Sequence, residues 1–157
     1  MENIHYMLDL TSEPMLDSRQ YQGLARKYRP AKFSEMIGQE VLVRLITNAV
    51  LMKRMPHAFL LTGIRGVGKT TTARILARVF NCLSGGEEMV PEPCGKCDAC
   101  TAIMSGSHQD VVEMDAASHT SVNDIRDIIE NVKYKPLSAR YKVYIIDEVH
   151  MLSLSGF

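Results

Sequence analysis

Gly63-Ile64-Arg65-Gly66-Val67-Gly68-Lys69-Thr70 matches the pattern G-x-x-x-x-G-K-[ST]. The run before it, Ala58-Phe59-Leu60-Leu61-Thr62, reads as a short buried strand, and Thr71 to Phe80 after it reads as a helix. In that setting the glycines let the loop curl so that backbone N–H groups converge on phosphates, and the helix N-terminus adds a favourable dipole. Lys69 is then the cation for the β- and γ-phosphates, and Thr70 supplies a hydroxyl to Mg2+. A chance glycine-rich turn could match the eight residues, but strand before and helix after are the context the motif requires. The candidates for a nucleoside triphosphate site are Gly63, Ile64, Arg65, Gly66, Val67, Gly68, Lys69, Thr70 and Thr71.

Some eighty residues further on, Tyr141-Lys142-Val143-Tyr144-Ile145-Ile146 reads as a buried strand that runs into Asp147-Glu148. Acids at the carboxyl end of a strand lie on the edge where open α/β sheets bind ligands. Asp147 there can hold Mg2+ through its water shell, and Glu148 can orient or deprotonate an attacking water. Phosphoryl transfer asks for metal, positioning and a polarised nucleophile more than for covalent chemistry. The plainer alternative is that both acids cap a following helix.

Between the two motifs, Asn81 to Ser107 holds all four cysteines and a Gly85-Gly86 turn, and reads as an insertion. Cys94-Gly95-Lys96-Cys97-Asp98-Ala99-Cys100 is C-x-x-C-x-x-C, and Cys82 stands twelve residues earlier at the end of the expected helix. Four thiolates form a closed tetrahedral set, which fits structural zinc. An iron–sulfur cluster and simple free thiols are the competing readings. His108 and His119 lie outside the spacing and read as surface polar residues.

The rest of the chain fits an α/β fold with a mostly parallel sheet. Residues 1–18 carry Glu2, Asp9, Glu13 and Asp17 with no lysine or arginine and no sustained period, which suggests a flexible acidic leader. Leu24 to Arg29 is basic, and Pro30 argues against a helix through Arg29. Gln39 to Met52 places Val41, Leu42, Leu45, Ile46 and Ala49 at helical spacing. Val111-Val112-Glu113-Met114 reads as a strand, and Val122 to Val132 as a helix capped by Asn123 or Ser121. The 157 residues are 46% apolar, and 18 basic side chains match 18 acidic ones, so no global basic field announces nucleic-acid binding. No apolar stretch approaches the length of about 18 residues that a membrane span needs, and no signal-peptide pattern is seen, so a cytoplasmic protein is expected.

With these motifs in place, the chain resembles the clamp-loader ATPases of the AAA+ superfamily, the tau/gamma subunits of bacterial DNA polymerase III. The resemblance covers about Tyr21 to Phe157. It rests on Leu24-Ala25-Arg26-Lys27-Tyr28-Arg29-Pro30, Ile37-Gly38-Gln39-Glu40, the phosphate loop, the four cysteines, Asp115-Ala116-Ala117-Ser118, and Ile146-Asp147-Glu148-Val149-His150-Met151-Leu152. It implies an AAA+ P-loop core over residues 19–157, incomplete at the C-terminus, with a zinc-binding insertion over 82–104. It further implies ATP on the loop, Lys69 and Glu148 as catalytic groups, Mg2+ on Thr70 and Asp147, and Zn2+ on Cys82, Cys94, Cys97 and Cys100. The implied partners are other loader subunits, the sliding clamp, the replicative polymerase and primer–template DNA, in a hetero-oligomer without a membrane. Another AAA+ motor, such as a branch-migration helicase, would share the loop and the acidic strand but not the cysteines.

The family pattern is not met everywhere. Where relatives often carry basic residues after Asp115-Ala116-Ala117-Ser118, this chain has His119 and Ser121, although Arg126 remains. Ending at Phe157 leaves out the next two strands, the arginine-finger motif, the lid and the oligomerisation domain. In the family's sheet order, 5-1-4-3-2, the missing fourth strand lies between the phosphate-loop strand and the Asp147 strand. The expectation is a fragment of a longer protein; the alternative is a truncated zinc- and nucleotide-binding product without ATPase or assembly activity.

Overall fold

The computed structural model describes Leu24, residues 28–118, Ile128 and residues 130–151. Its regular elements are α1 (Glu40–Leu51), α2 (Lys69–Asn81), α3 (Asp98–Ser105), β1 (Val111–Asp115) and β2 (Val143–Asp147). Short 3-10 turns occupy Phe33–Glu35, Leu83–Gly85 and Val149–Met151. The acidic leader expected over 1–18, the cap candidates Ser121 and Asn123, and His119 and Arg126 lie outside the described residues. Of the helix expected over Val122 to Val132, Ile128 and residues 130–132 are described, and they are helical.

Helix α1 starts with Glu40 in its first turn, where a negative charge complements the helix dipole. It ends in a paired hydrogen-bond motif: Lys53 takes a left-handed φ of 53° and donates to the Val50 carbonyl, and Arg54 donates to that of Ala49. The spacing suggests an apolar face of Val41, Leu42, Leu45, Ile46 and Ala49. The structure instead buries Ile46 and Val50, with Leu42 and Val43 packed beside them, and leaves Val41 75% exposed. Apolar residues wrap more than one face of this helix, and the line that meets α2 is the one that is buried.

Helix α2 is the central element. Residues 75–79 are all buried because the helix is covered on two sides. Ile75, Leu76 and Val79 join Phe33, Ile46 and Val50 in one core, while Ala77 packs with Ile103 of α3 and Ile145 of β2 in another. At its end Asn81 closes a two-way peptide clamp, with Nδ2 donating to the Tyr141 carbonyl at 3.0 Å and Oδ1 accepting from the Tyr141 N–H at 2.8 Å. That clamp fixes the approach to β2.

Strands β1 and β2 pair in parallel, with Val111 opposite Val143 and Asp115 opposite Asp147. Asp110, immediately before β1, is 1% exposed and accepts the N–H groups of Leu137, Ser138 and Ala139, each at 2.8 Å. One carboxylate thus secures the loop that feeds β2. Burial opposes its charge, but the backbone donors of Leu137, Ser138 and Ala139 outweigh it and hold the Asp110 carboxyl at about 2, against an ordinary 3.8.

The strand expected over Ala58 to Thr62 is a correction. These residues form no strand, and Leu60 is 78% exposed. A strand needs a ladder partner, and among the described residues none lies beside this segment. An aromatic contact anchors it: the Phe59 ring lies 6.3 Å from that of Phe80, which in turn is 5.8 Å from Tyr141. Among the described residues, no helix is long and apolar enough to cross a membrane.

Candidate functional site

The turn before α2 bends through glycines in left-handed conformations, with φ of 84° at Gly66 and 98° at Gly68, which side chains with a Cβ rarely adopt. Gly68 is the N-cap of α2, so no side chain caps the helix, and no acidic residue lies in its first turn. The free N–H groups and the positive end of the dipole are left open to an anion. The Lys69 ammonium folds back into the loop and donates to the carbonyls of Gly63 at 2.9 Å and Ile64 at 3.0 Å. Weak backbone acceptors hold the cation there, so a phosphate can draw it away.

Thr70 and Asp147 stand 77 residues apart in sequence and meet in space, the Thr70 hydroxyl donating to Asp147 Oδ2 at 2.7 Å. Two hard oxygen ligands side by side fit Mg2+, which takes one or two protein oxygens and completes its shell with water and phosphate. Glu148 follows in a left-handed conformation, φ 51°, that non-glycine residues seldom take. Its N–H donates to Asp147 Oδ1 at 3.0 Å, and its carboxylate, exposed, lies 3.5 Å from His150 Nδ1. A 3-10 turn over Val149–Met151 follows, and residues 152–157 lie outside the described ones.

These groups line a cleft of about 910 Å³. Arg65, Gly66, Gly68, Lys69, Thr70 and Thr71 form one wall, and Asp147 and Glu148 another. Gly63, Ile64 and Val67 do not line it; the first two face Lys69 with their carbonyls. Tyr28, Arg29 and Pro30 also line the cleft, a role that the residues' own pattern did not assign them. Their basic character before Pro30 was visible, but local sequence could not place them against a loop more than thirty residues away. Arg74, one turn past Thr70, makes a two-pronged ion pair with Glu113 on β1, both bonds 2.7 Å, at the cleft wall. Glu113 is the acid within a strand that reads as apolar, and its partner is 39 residues away, so only the fold reveals the pair.

The four cysteines come together at the other end of α2. Sγ atoms of Cys82, Cys94, Cys97 and Cys100 all lie within 4.8 Å of one another. A tetrahedron built on Zn–S bonds of about 2.3 Å has edges of about 3.8 Å, so a small contraction closes the set around the ion. Cys82 ends α2, and α3 positions two more, with Cys97 at its N-cap and Cys100 in its first turn. The Cys94 N–H donates to Cys82 Sγ at 3.3 Å, and the Cys97 N–H to Cys94 Sγ at 3.4 Å. The backbone N–H groups of Lys96 and Cys97 hold the Cys94 thiol down to about 6. Burial pushes the Cys82 thiol up, but hydrogen bonds from Cys94 and Ser84 outweigh it and leave it below its ordinary value, while burial raises Cys100. Such a set selects a soft-ligand metal and keeps no open position for catalysis. His108 stands apart from it, its Nδ1 accepting from the Asp110 N–H at 3.1 Å. Helix α3, with Cys97 at its N-cap and Cys100 in its first turn, lies in a segment that the sequence marks only as an insertion.

Comparison with known proteins gives two findings. The sequence profile of a family described as DNA polymerase III, delta subunit, matches residues 38–156. Over 137 residues, 87% of this chain, the sequence is 48% identical to DNA polymerase III subunit tau/gamma of Haemophilus influenzae and 49% identical to subunit tau of Bacillus subtilis. Identity to subunit gamma of Buchnera aphidicola subsp. Baizongia pistaciae is 47% over the same length. The chain spans 20%, 24% and 36% of these relatives.

Proposed function

The chain belongs to the DNA polymerase III delta-subunit family, and we propose that it carries the ATP site of a clamp-loader subunit, on an AAA+ P-loop core. In this reading ATP binding lets a multi-subunit loader open the ring-shaped sliding clamp and grip primer–template DNA, and hydrolysis releases the closed clamp. The other loader subunits, the clamp and the replicative polymerase are its partners, in the cytoplasm. The observation that supports it is the 2.7 Å contact between Thr70 and Asp147, which joins the two motifs beside an uncapped helix N-terminus.

Each side chain has a task in this proposal. Lys69 leaves the carbonyls of Gly63 and Ile64 for the phosphates, and the N–H groups that open α2 hold the anion in place. Thr70 with its hydroxyl oxygen and Asp147 with its carboxylate would hold Mg2+, which would supply positive charge to the phosphates. Glu148 stands next to Asp147 with an exposed carboxylate free to accept a proton from water. The cysteine set takes zinc in a structural role, fixing the junction of α2 and α3.

The test is ATP binding and turnover in the protein as its source cell makes it. Lys69→Ala should abolish productive binding, and Glu148→Gln should bind ATP normally while turnover falls at least 100-fold, the scale expected for loss of a general base. Normal hydrolysis by the Glu148 variant would remove it as the base.

A further inference from the structure

Arg78 has no use in the chemistry above, yet it is 2% exposed in the last turn of α2. A guanidinium is costly to bury without a counter-charge. Its hydrogen-bond acceptors are the Arg74 carbonyl at 3.5 Å and the Met104 sulfur, which faces Nη1 at 3.5 Å, and neither carries charge. Arg74 itself is committed to Glu113. Among the described residues, no carboxylate hydrogen-bonds Arg78.

Arg78 lies one turn before Cys82 on α2, and the Cys82 N–H donates to its carbonyl at 2.7 Å. Met104 lies one turn after Cys100 on α3. By crossing from α2 to Met104, the Arg78 side chain spans the helix interface one turn in sequence from both buried cysteines. Four thiolates around a divalent ion keep a net negative charge, half-buried in the same low-dielectric region. We infer that Arg78 is the counter-charge of the cysteine metal centre, a positioning residue through which metal binding and the α2–α3 junction stabilise each other.

Electrostatics run in the same direction. Burial lowers the Arg78 pKa, and among the groups that oppose it Cys100 comes first, ahead of Glu35 and Glu92. Neither acid hydrogen-bonds Arg78: Glu35 accepts the Ala31 N–H and Glu92 the Ser34 hydroxyl. Outer residues that tune a metal site typically change affinity by about 10- to 100-fold when altered.

The inference rests on the reading of the cysteines as a metal centre, and one experiment separates the two. Zinc affinity is measured by competition with a chromophoric chelator in the full-length protein, for the unaltered chain, Arg78→Gln, Arg78→Met and Arg78→Lys. The expected result is a loss of about tenfold or more in the Gln and Met variants and near-normal affinity in the Lys variant, which keeps the charge. The apo proteins provide a readout that a merely structural arginine would not move: with zinc chelated, Arg78→Met should be at least as stable as the unaltered chain, and with zinc bound less stable. Unchanged affinity in the Gln and Met variants overturns the role of Arg78 while leaving the metal centre intact, as does a loss in Lys equal to that in Gln. Absence of stoichiometric zinc from the unaltered protein overturns both.

Discussion

Asp110 shows how much one side chain can organise here. Its carboxylate takes three backbone N–H groups of the loop before β2, and its own carbonyl accepts the Val143 N–H at 2.8 Å. Asp110→Ala removes the charged acceptor and leaves those donors to solvent, which should cost about 2 kcal/mol or more in unfolding by denaturant. The sign with pH follows from a folded value, about 2, that lies below the ordinary 3.8. The carboxylate's stabilisation is fully present above about pH 4 and lost as pH falls toward 2. An acid-unfolding curve unchanged in Asp110→Asn would contradict this role. Nothing in the sequence marks Asp110, because its partners lie 27 to 29 residues away and, the Ser138 hydroxyl apart, are backbone N–H groups.

At the scale of elements, α2 is where the two candidate sites meet. One of its faces runs Thr70, Arg74, Arg78, Cys82 in steps of four, and these touch Asp147, Glu113, Met104 and the other cysteines in turn. Such a stripe was legible only in part. The Gly-rich loop, Asp147-Glu148 and the cysteine spacing carry their chemistry in local patterns, so the helix, the two strands and the thiol cluster could be read directly. Residues 58–62 misled because a run of apolar residues signals a buried strand only when neighbours exist to pair with it. Val41 and Leu45 misled for a related reason, since helical spacing does not say which of two overlapping apolar faces meets a partner. The element prediction concerns the end of α2: Cys97→Ser should release zinc and destabilise the 82–104 region, with protease sensitivity rising there and nucleotide binding less affected. Full zinc content in that variant would remove Cys97 from the ligand set.

For the whole molecule, parallel pairing sets Asp115 and Asp147 at the same level on adjacent strand ends, while the Asn81 clamp and the Asp110 loop lock β2 against α2. The arrangement delivers two short motifs to one cleft and places a compact thiol cluster at its far end, as a nucleotide switch with a structural metal would need. In the proposed function, Thr70 and Asp147 act together on Mg2+ at the mouth of the phosphate loop. The most direct measurement is ATP affinity with and without Mg2+, in the unaltered protein and in Asp147→Asn. Mg2+ should strengthen binding in the unaltered protein, and Asp147→Asn should lose most of this gain while keeping its Mg2+-free affinity. A gain from Mg2+ that is the same in both proteins would contradict this joint role.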